Sequence, residues 1–340
     1  MSGMTRRRML AASGAVAALP AFAETAPLPV VDEDPHPVPS GRVDGVRTGG
    51  SRRIPISGGY EVWAKQIGTG DIPLLTLHGG PGATHFYLEC FEDFMPTDRI
   101  CFYYYDQLGC GFSDAPNDPS LWTLERFRQE VEDVRAALGL DRFVLYGQSW
   151  GGLLAIEYAL KYPQYLSGLV ISSMTASYPS YVAYANRLRG ALPDEVNDAM
   201  KRYEEQGKFD APEYQDLLMT QLYAKHLCRL EPWPEPLLRA FTHLNQQVYT
   251  TMQGPSEFQV TGNLKEWDRW SDLPRIEVPT LLLVGGHDTM SVDDIARMGT
   301  LMPNSRVVVC EKGSHMCMYD DQQTYFDALI PFVLARGTKA

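Results

Sequence analysis

The sequence predicts an α/β fold: a mostly parallel sheet flanked by helices, with an inserted helical cap. Three observations carry this. From Tyr60 onward, short apolar strand-like runs alternate with helical segments. Between about Ala176 and Asn263 the strand-like runs stop, and helical segments broken by Pro193, Pro212, Pro232, Pro234 and Pro236 take over. The alternation then resumes at Pro279. Alternating strands and helices favour parallel pairing with helices on both sheet faces. A helical block inserted between two strands reads as a cap over the strand ends.

Taken in order, the chain opens on an address. Arg6, Arg7 and Arg8 precede an apolar, small-residue stretch from Met9 to Ala18, and Ala21-Phe22-Ala23 supplies an A-x-A cleavage site. Thr5-Arg6-Arg7-Arg8-Met9-Leu10 resembles a twin-arginine export signal, so residues 1–23 are expected to be removed and the mature chain to be periplasmic. The apolar stretch is too short to span a bilayer, and no membrane anchoring is expected after processing. Residues 24–53, rich in Pro, Asp and Gly, read as a linker.

The core is expected at 54–175 and 264–340, and the cap at 176–263. Tyr60–Ile67 alternates as a strand does, and Pro73–Leu77 and Ile100–Tyr105 are short apolar runs. Leu124, Phe127, Val131, Val134 and Leu138 recur at steps of three and four, which marks one face of a helix. Arg142–Tyr146 and Leu166–Ile171 read as strands around a helix over Leu153–Leu160. After the cap come a strand at Pro279–Val284, a helix at Asp293–Leu301, a strand at Arg306–Cys310 and a helix at Thr324–Leu334.

Composition narrows the function. The 340 residues carry 30 Lys and Arg against 42 Asp and Glu, a formal charge of −12. Removing residues 1–23 takes away three arginines and leaves −15. So acidic a chain is poorly suited to gripping nucleic acid or an anionic membrane. The six cysteines form no C-x-x-C pair and read as small buried apolar side chains. No P-loop, dinucleotide fingerprint, H-E-x-x-H or EF-hand pattern occurs, so neither a metal nor an organic cofactor is expected.

Gly147-Gln148-Ser149-Trp150-Gly151 matches G-x-S-x-G between a strand and a helix. A tight strand-to-helix turn puts the serine hydroxyl at the top of a sheet beside a helix N-terminus, and small residues two positions either side permit that turn. Ser149 is therefore the candidate nucleophile. It needs a base, and the base needs an orienting acid. Asp288 follows the strand-like run ending at Val284, and of the seven histidines only His315 follows the last strand. Asp293 and Asp294 read instead as helix-start residues. An oxyanion needs two donors: the N–H of Trp150, and one from His78-Gly79-Gly80-Pro81-Gly82, with Gly80 the first choice and Gly79 the alternate.

With these motifs in view, the chain from about Tyr60 to Leu334 resembles the proline iminopeptidase family of α/β-hydrolases. The carriers are the His78–Gly82 run, Asp106-Gln107-Leu108-Gly109-Cys110-Gly111-Phe112-Ser113, and Gly147–Gly152. Gly254-Pro255-Ser256-Glu257-Phe258 with Thr261-Gly262 resembles the tricorn-interacting aminopeptidase branch, and amino acid amidases of the subfamily are similar. The resemblance implies an α/β-hydrolase fold and a serine aminopeptidase that releases N-terminal proline or other apolar residues through an acyl-enzyme. The implied partners are short peptides or amino acid amides, and the alternative is an amino acid amidase or small-ester hydrolase. It also implies that cap glutamates hold the substrate's amino group. Glu257 matches one of them. The second glutamate of that branch falls on Thr289, and the family's Asp-Gln-Arg-Gly reads Asp106-Gln107-Leu108-Gly109. Glu204, Glu205 and Glu213 stay open as replacements for the missing carboxylate. Tyr178, Tyr181, Trp233, Trp267 and Trp270 are candidate pocket walls or cap–core packing.

Overall fold

The computed structural model describes residues 48–337. The export signal and residues 24–47 of the linker lie outside the described residues.

Among the described residues eight strands form one sheet: β1 Ser51–Ile56, β2 Tyr60–Ile67, β3 Ile72–Leu77, β4 Ile100–Tyr105, β5 Phe143–Gln148, β6 Leu166–Ser172, β7 Thr280–Gly285 and β8 Ser305–Cys310. Their spatial order is β1-β2-β4-β3-β5-β6-β7-β8. β1 pairs antiparallel with β2, and β2 with β4; all other pairings are parallel. The β5 and β7 strands are buried along their whole length, as expected of strands covered on both faces. Alternate residues supply two separate cores. Leu75, Leu77, Leu145, Leu282 and Val284 belong to one, and Leu74, Val144, Tyr146, Leu281 and Leu283 to the other.

The predicted linker ends too late. Residues 51–53 are not linker but the start of β1, where Ser51 lies opposite Lys65 and Arg53 opposite Trp63. This strand escapes the sequence because SRRIPI buries only Ile54 and Ile56 and shows no sustained alternation. Elsewhere the predicted elements fall within three residues of the observed ones at each end, and Tyr60–Ile67, Ile100–Tyr105 and Leu124–Leu138 coincide with them. The helix Leu124–Leu138 is capped by Thr123, whose side chain accepts from the N–H of Arg126, and it stops at Gly139 in the left-handed conformation.

Between β6 and β7 lie the helices Tyr178–Gly190, Asp194–Glu205, Pro212–Leu218, Glu235–Thr242 and Gln246–Met252. Arg189 pairs with Glu204 at 2.7 Å inside this block. The segment that follows it is tied to the core through Glu157, on the helix Trp150–Lys161. That buried carboxylate accepts from Trp267 Nε1 at 2.8 Å, Arg269 at 2.6 Å and Arg128 at 3.0 Å. Among the described residues no helix is long and apolar enough to cross a membrane, and no group of His, Cys, Asp and Glu is arranged to hold a metal ion. All six cysteines are buried and unpaired.

Candidate active site

Ser149 joins β5 to the helix Trp150–Lys161 with φ 56° and ψ −126°, a strained combination for a residue with a Cβ. Close packing enforces the glycines on either side. A Cβ on Gly147 would lie 2.0 Å from the Gly151 carbonyl oxygen, and one on Gly151 would lie 2.2 Å from that of Leu77. Nothing larger than hydrogen fits at either place, and the turn stays tight enough to present Ser149 at the head of its helix. No hydrogen bond joins Ser149 Oγ to a protein group among the described residues.

Asp288 stands three residues past β7 and is buried. Its carboxylate accepts from Met290 N–H at 3.0 Å, from Gly285 N–H at 3.3 Å and from the Thr289 hydroxyl at 3.3 Å. It also receives His315 Nδ1–H at 2.7 Å. That bond leaves the imidazole lone pair on Nε2, the state a general base requires. Burial opposes a charge on His315, but the Asp288 charge and hydrogen bond, helped by Glu257 and Asp320, outweigh it and hold His315 above its ordinary 6.5. Thr289 Oγ1 lies 3.0 Å from His315 Nδ1. The residue standing where the second glutamate was expected thus serves the Asp288–His315 pair.

The His78–Gly82 loop is locked from beneath by the Asp106–Ser113 motif. Gln107 N–H donates to His78 Nε2 at 3.0 Å, Gln107 Nε2 donates to the His78 carbonyl at 3.0 Å, and Trp150 Nε1 donates to Gln107 Oε1 at 2.8 Å. Burial pushes His78 down to about 4, so it remains neutral and able to accept. Asp106 accepts from His85 N–H, His85 Nδ1 and Phe112 N–H, which closes the motif on itself. Gly79 and Gly80 differ in a way that sequence does not reveal. The Gly79 N–H is committed to Tyr87 Oη at 2.5 Å. Neither the Gly80 nor the Trp150 N–H has an acceptor among the described residues.

A cavity of about 260 Å³ is lined by Gly80, Ser149, His315 and Glu257 together. Its apolar wall comes from Leu218, Tyr223, Leu227, Phe241, Leu244, Tyr249 and Met316. Glu257 is half-buried and held from both sides: Tyr249 Oη donates to Oε1 at 2.6 Å and Tyr181 Oη to Oε2 at 2.8 Å. Among the described residues lining this cavity it is the only carboxylate. Glu204 is bound to Arg189 and Tyr214, while Glu205 and Glu213 are exposed, and none of the three reaches the cavity. The five candidate wall aromatics do not line it either. Tyr178 and Tyr181 pack in the core, Trp267 is bound to Glu157, Trp270 donates to Ser180, and Trp233 donates to the Cys228 carbonyl. Tyr223, Phe241 and Tyr249 take that place, and no local pattern distinguishes them from other cap aromatics.

Comparison with known proteins gives a consistent picture. The alpha/beta hydrolase fold family matches residues 72–322. A proline iminopeptidase of Flavobacterium johnsoniae is 44% identical over 287 residues, covering 82% of this chain and 97% of that one. One from Elizabethkingia meningoseptica is 43% identical over 295 residues, covering 84% and 99%. Among solved structures, VinJ superposes with a TM-score of 0.80 at 33% identity, covering 84% of this chain and 98% of its own. The proline iminopeptidase of Mycobacterium smegmatis superposes with a TM-score of 0.77 at 30% identity, with the same coverage.

Proposed function

Because the chain belongs to the α/β-hydrolase fold family and, within it, to the proline iminopeptidases, we propose that it is a serine aminopeptidase releasing N-terminal proline or another apolar residue from short peptides. In this reading Ser149 attacks the carbonyl of the first residue. His315 takes the serine proton and returns it to the leaving amine, and Asp288 holds the imidazole and stabilises its charged form. The N–H groups of Gly80 and Trp150 receive the oxyanion. The acyl-enzyme is then opened by water, which His315 activates in the same way.

The observation that carries the reading is the position of Glu257. A carboxylate fixed by two phenols lines an otherwise largely apolar cavity together with Ser149 and His315. That arrangement suits a substrate with a cationic end and an apolar first residue. The cavity is also small, below the roughly 300–1,000 Å³ usual for small-molecule sites. An amino acid amidase or small-ester hydrolase is the second reading. It is favoured by the single carboxylate and by Thr289 standing beside Asp288, where the tricorn-associated branch has glutamate. Cleavage rates for prolyl and other aminoacyl arylamides, their N-acetylated analogues and simple esters separate the two. Equal cleavage of acetylated and free-amine substrates would remove the aminopeptidase reading. We further propose that residues 1–23 direct twin-arginine export to the periplasm.

A further inference from the structure

Gln148, the variable position of G-x-S-x-G, is completely buried beside the nucleophile. Its Nε2 donates to the carbonyl of His315 at 3.2 Å, and its Oε1 accepts from Tyr87 Oη at 2.8 Å. The same phenol oxygen accepts the N–H of Gly79 at 2.5 Å. A single directed chain therefore runs from the Gly79 N–H through the Tyr87 hydroxyl and the Gln148 amide to the His315 backbone. It ties together the loops carrying the oxyanion donor, the nucleophile and the base.

We propose that Tyr87 and Gln148 are positioning residues: Tyr87 occupies the Gly79 N–H so that the Gly80 N–H is the free donor, and Gln148 fixes this loop against the His315 loop. The inference rests on the serine-hydrolase reading and is independent of the amine specificity. Several features beyond the hydrogen bonds support it. Tyr87 is itself anchored, since Tyr319 Oη donates to its carbonyl at 2.9 Å. A Cβ on Gly79 would stand 2.9 Å from Gln148 Oε1 and 3.1 Å from Ser149 Cβ, so the loop lies directly on these two side chains. Burial pushes the Tyr87 phenol well above its ordinary 10, which keeps it a donor to Gln148 at any working pH. Directed chains of hydrogen bonds in a buried setting strengthen one another, so losing one member loosens the whole.

Tyr87→Phe keeps the ring and removes only the hydroxyl. The Gly79 N–H is then an unpaired buried donor beside Gly80, and the peptide between the two glycines loses its fixed aim. Loss of an oxyanion donor costs about 10²–10³ in kcat, and a misaimed one should cost part of that. The expected result is a fall in kcat of roughly tenfold or more, with KM within about twofold, on a prolyl arylamide and on an uncharged ester alike. The preference for an oxo ester over its thiono counterpart should narrow, because sulfur makes less use of an oxyanion donor. Gln148→Met should act in the same direction, and the double variant should be little worse than Tyr87→Phe alone. A kcat within about twofold of the parent, a loss confined to KM, or multiplying losses in the double variant would overturn the proposal. If Tyr87→Phe does not fold, Gln148→Met decides on the same readouts. Fluorophosphonate labelling of the parent at Ser149 keeps the two levels apart. Without labelling the serine-hydrolase reading fails; with labelling and unchanged variants only the positioning role fails.

Discussion

Glu257→Gln removes one negative charge from the cavity and changes almost nothing in size. The two carboxylate oxygens offer about four acceptor sites. Tyr249 and Tyr181 fill one on each oxygen, which leaves one on each for an incoming ammonium group. The amide has one oxygen, so it serves one tyrosine well and presents N–H groups to the other partners. Hydrogen bonds to a charged group contribute about 1.5–3 kcal/mol, or roughly 10- to 150-fold in binding. Glu257 is only half-buried, and solvent screening favours the lower end, about 10- to 30-fold. The loss should appear in KM for free-amine arylamides, because the contact is made equally in the ground and transition states. Uncharged esters should be almost unaffected. A pH effect should accompany it. His315 must be neutral to accept the serine proton, so activity is lost as pH falls through its pKa. That pKa lies above 6.5, held up chiefly by Asp288 and in part by Glu257. The acid limb of kcat/KM should therefore lie above 6.5 in the parent and move to lower pH in Glu257→Gln. The assay is kcat/KM against pH for a prolyl arylamide, its acetylated analogue and an ester. Equal losses on all three substrates would show that Glu257 does not hold the substrate's amine, and an acid limb that does not move would show that it does not raise the His315 pKa.

Ser149→Ala and His315→Ala should each abolish turnover without unfolding the protein, and the double variant should be little worse than either, as steady-state rates will check. Gly111→Ala should destabilise by about 2–4 kcal/mol in urea titration. Its Cβ would fall 2.2 Å from Asp106 Oδ2 at a φ of +46°, so both the clash and the left-handed backbone penalise it. The exported chain should begin near Glu24, and changing Arg6 and Arg7 to Lys should leave precursor in the cytoplasm, which N-terminal sequencing of the two fractions will check.

The legible parts of the site were the local ones. Ser149 announces itself because two close backbone approaches force glycine at 147 and 151. Asp288 and His315 follow from where β7 and β8 end. The Asp106–Ser113 run carries the resemblance, but its work, a clamp on the His78–Gly82 loop through Gln107, is visible only in three dimensions. Tyr87 and Gln148 were illegible for a related reason. They meet across 61 residues, and Gln148 meets His315 across 167. No periodicity encodes a contact of that kind. The cap misled because its aromatics look alike in sequence. Which of them lines the cavity depends on how each helix is turned: Tyr223 and Tyr249 line it, Tyr181 touches it only through its hydroxyl on Glu257, and Tyr178 does not line it.

The cap also supports the catalytic base. The N–H groups of His315 and Met316 donate to the carbonyls of His226 and Leu227 at 3.0 and 2.8 Å, and the Ser314 hydroxyl oxygen lies 2.8 Å from the Leu227 carbonyl. Asp320 closes this junction. It accepts the N–H of Ser314 at 2.9 Å, the Ser314 hydroxyl, and the N–H of Arg229 at 3.0 Å from the cap side. Asp320→Ala removes all of these acceptors at once. The Arg229 N–H is exposed and can turn to water, but Ser314 is buried, so most of the cost falls there. Two charge-assisted bonds lost at a buried residue, at about 1.5–3 kcal/mol each, amount to about 3–6 kcal/mol. The damage should extend to chemistry, because the loop that loosens carries His315. The expected outcome is a lower urea midpoint together with a several-fold fall in kcat on ester and amide alike, at little change in KM. A variant that loses stability while keeping its kcat would show that the junction holds the cap in place without holding the base.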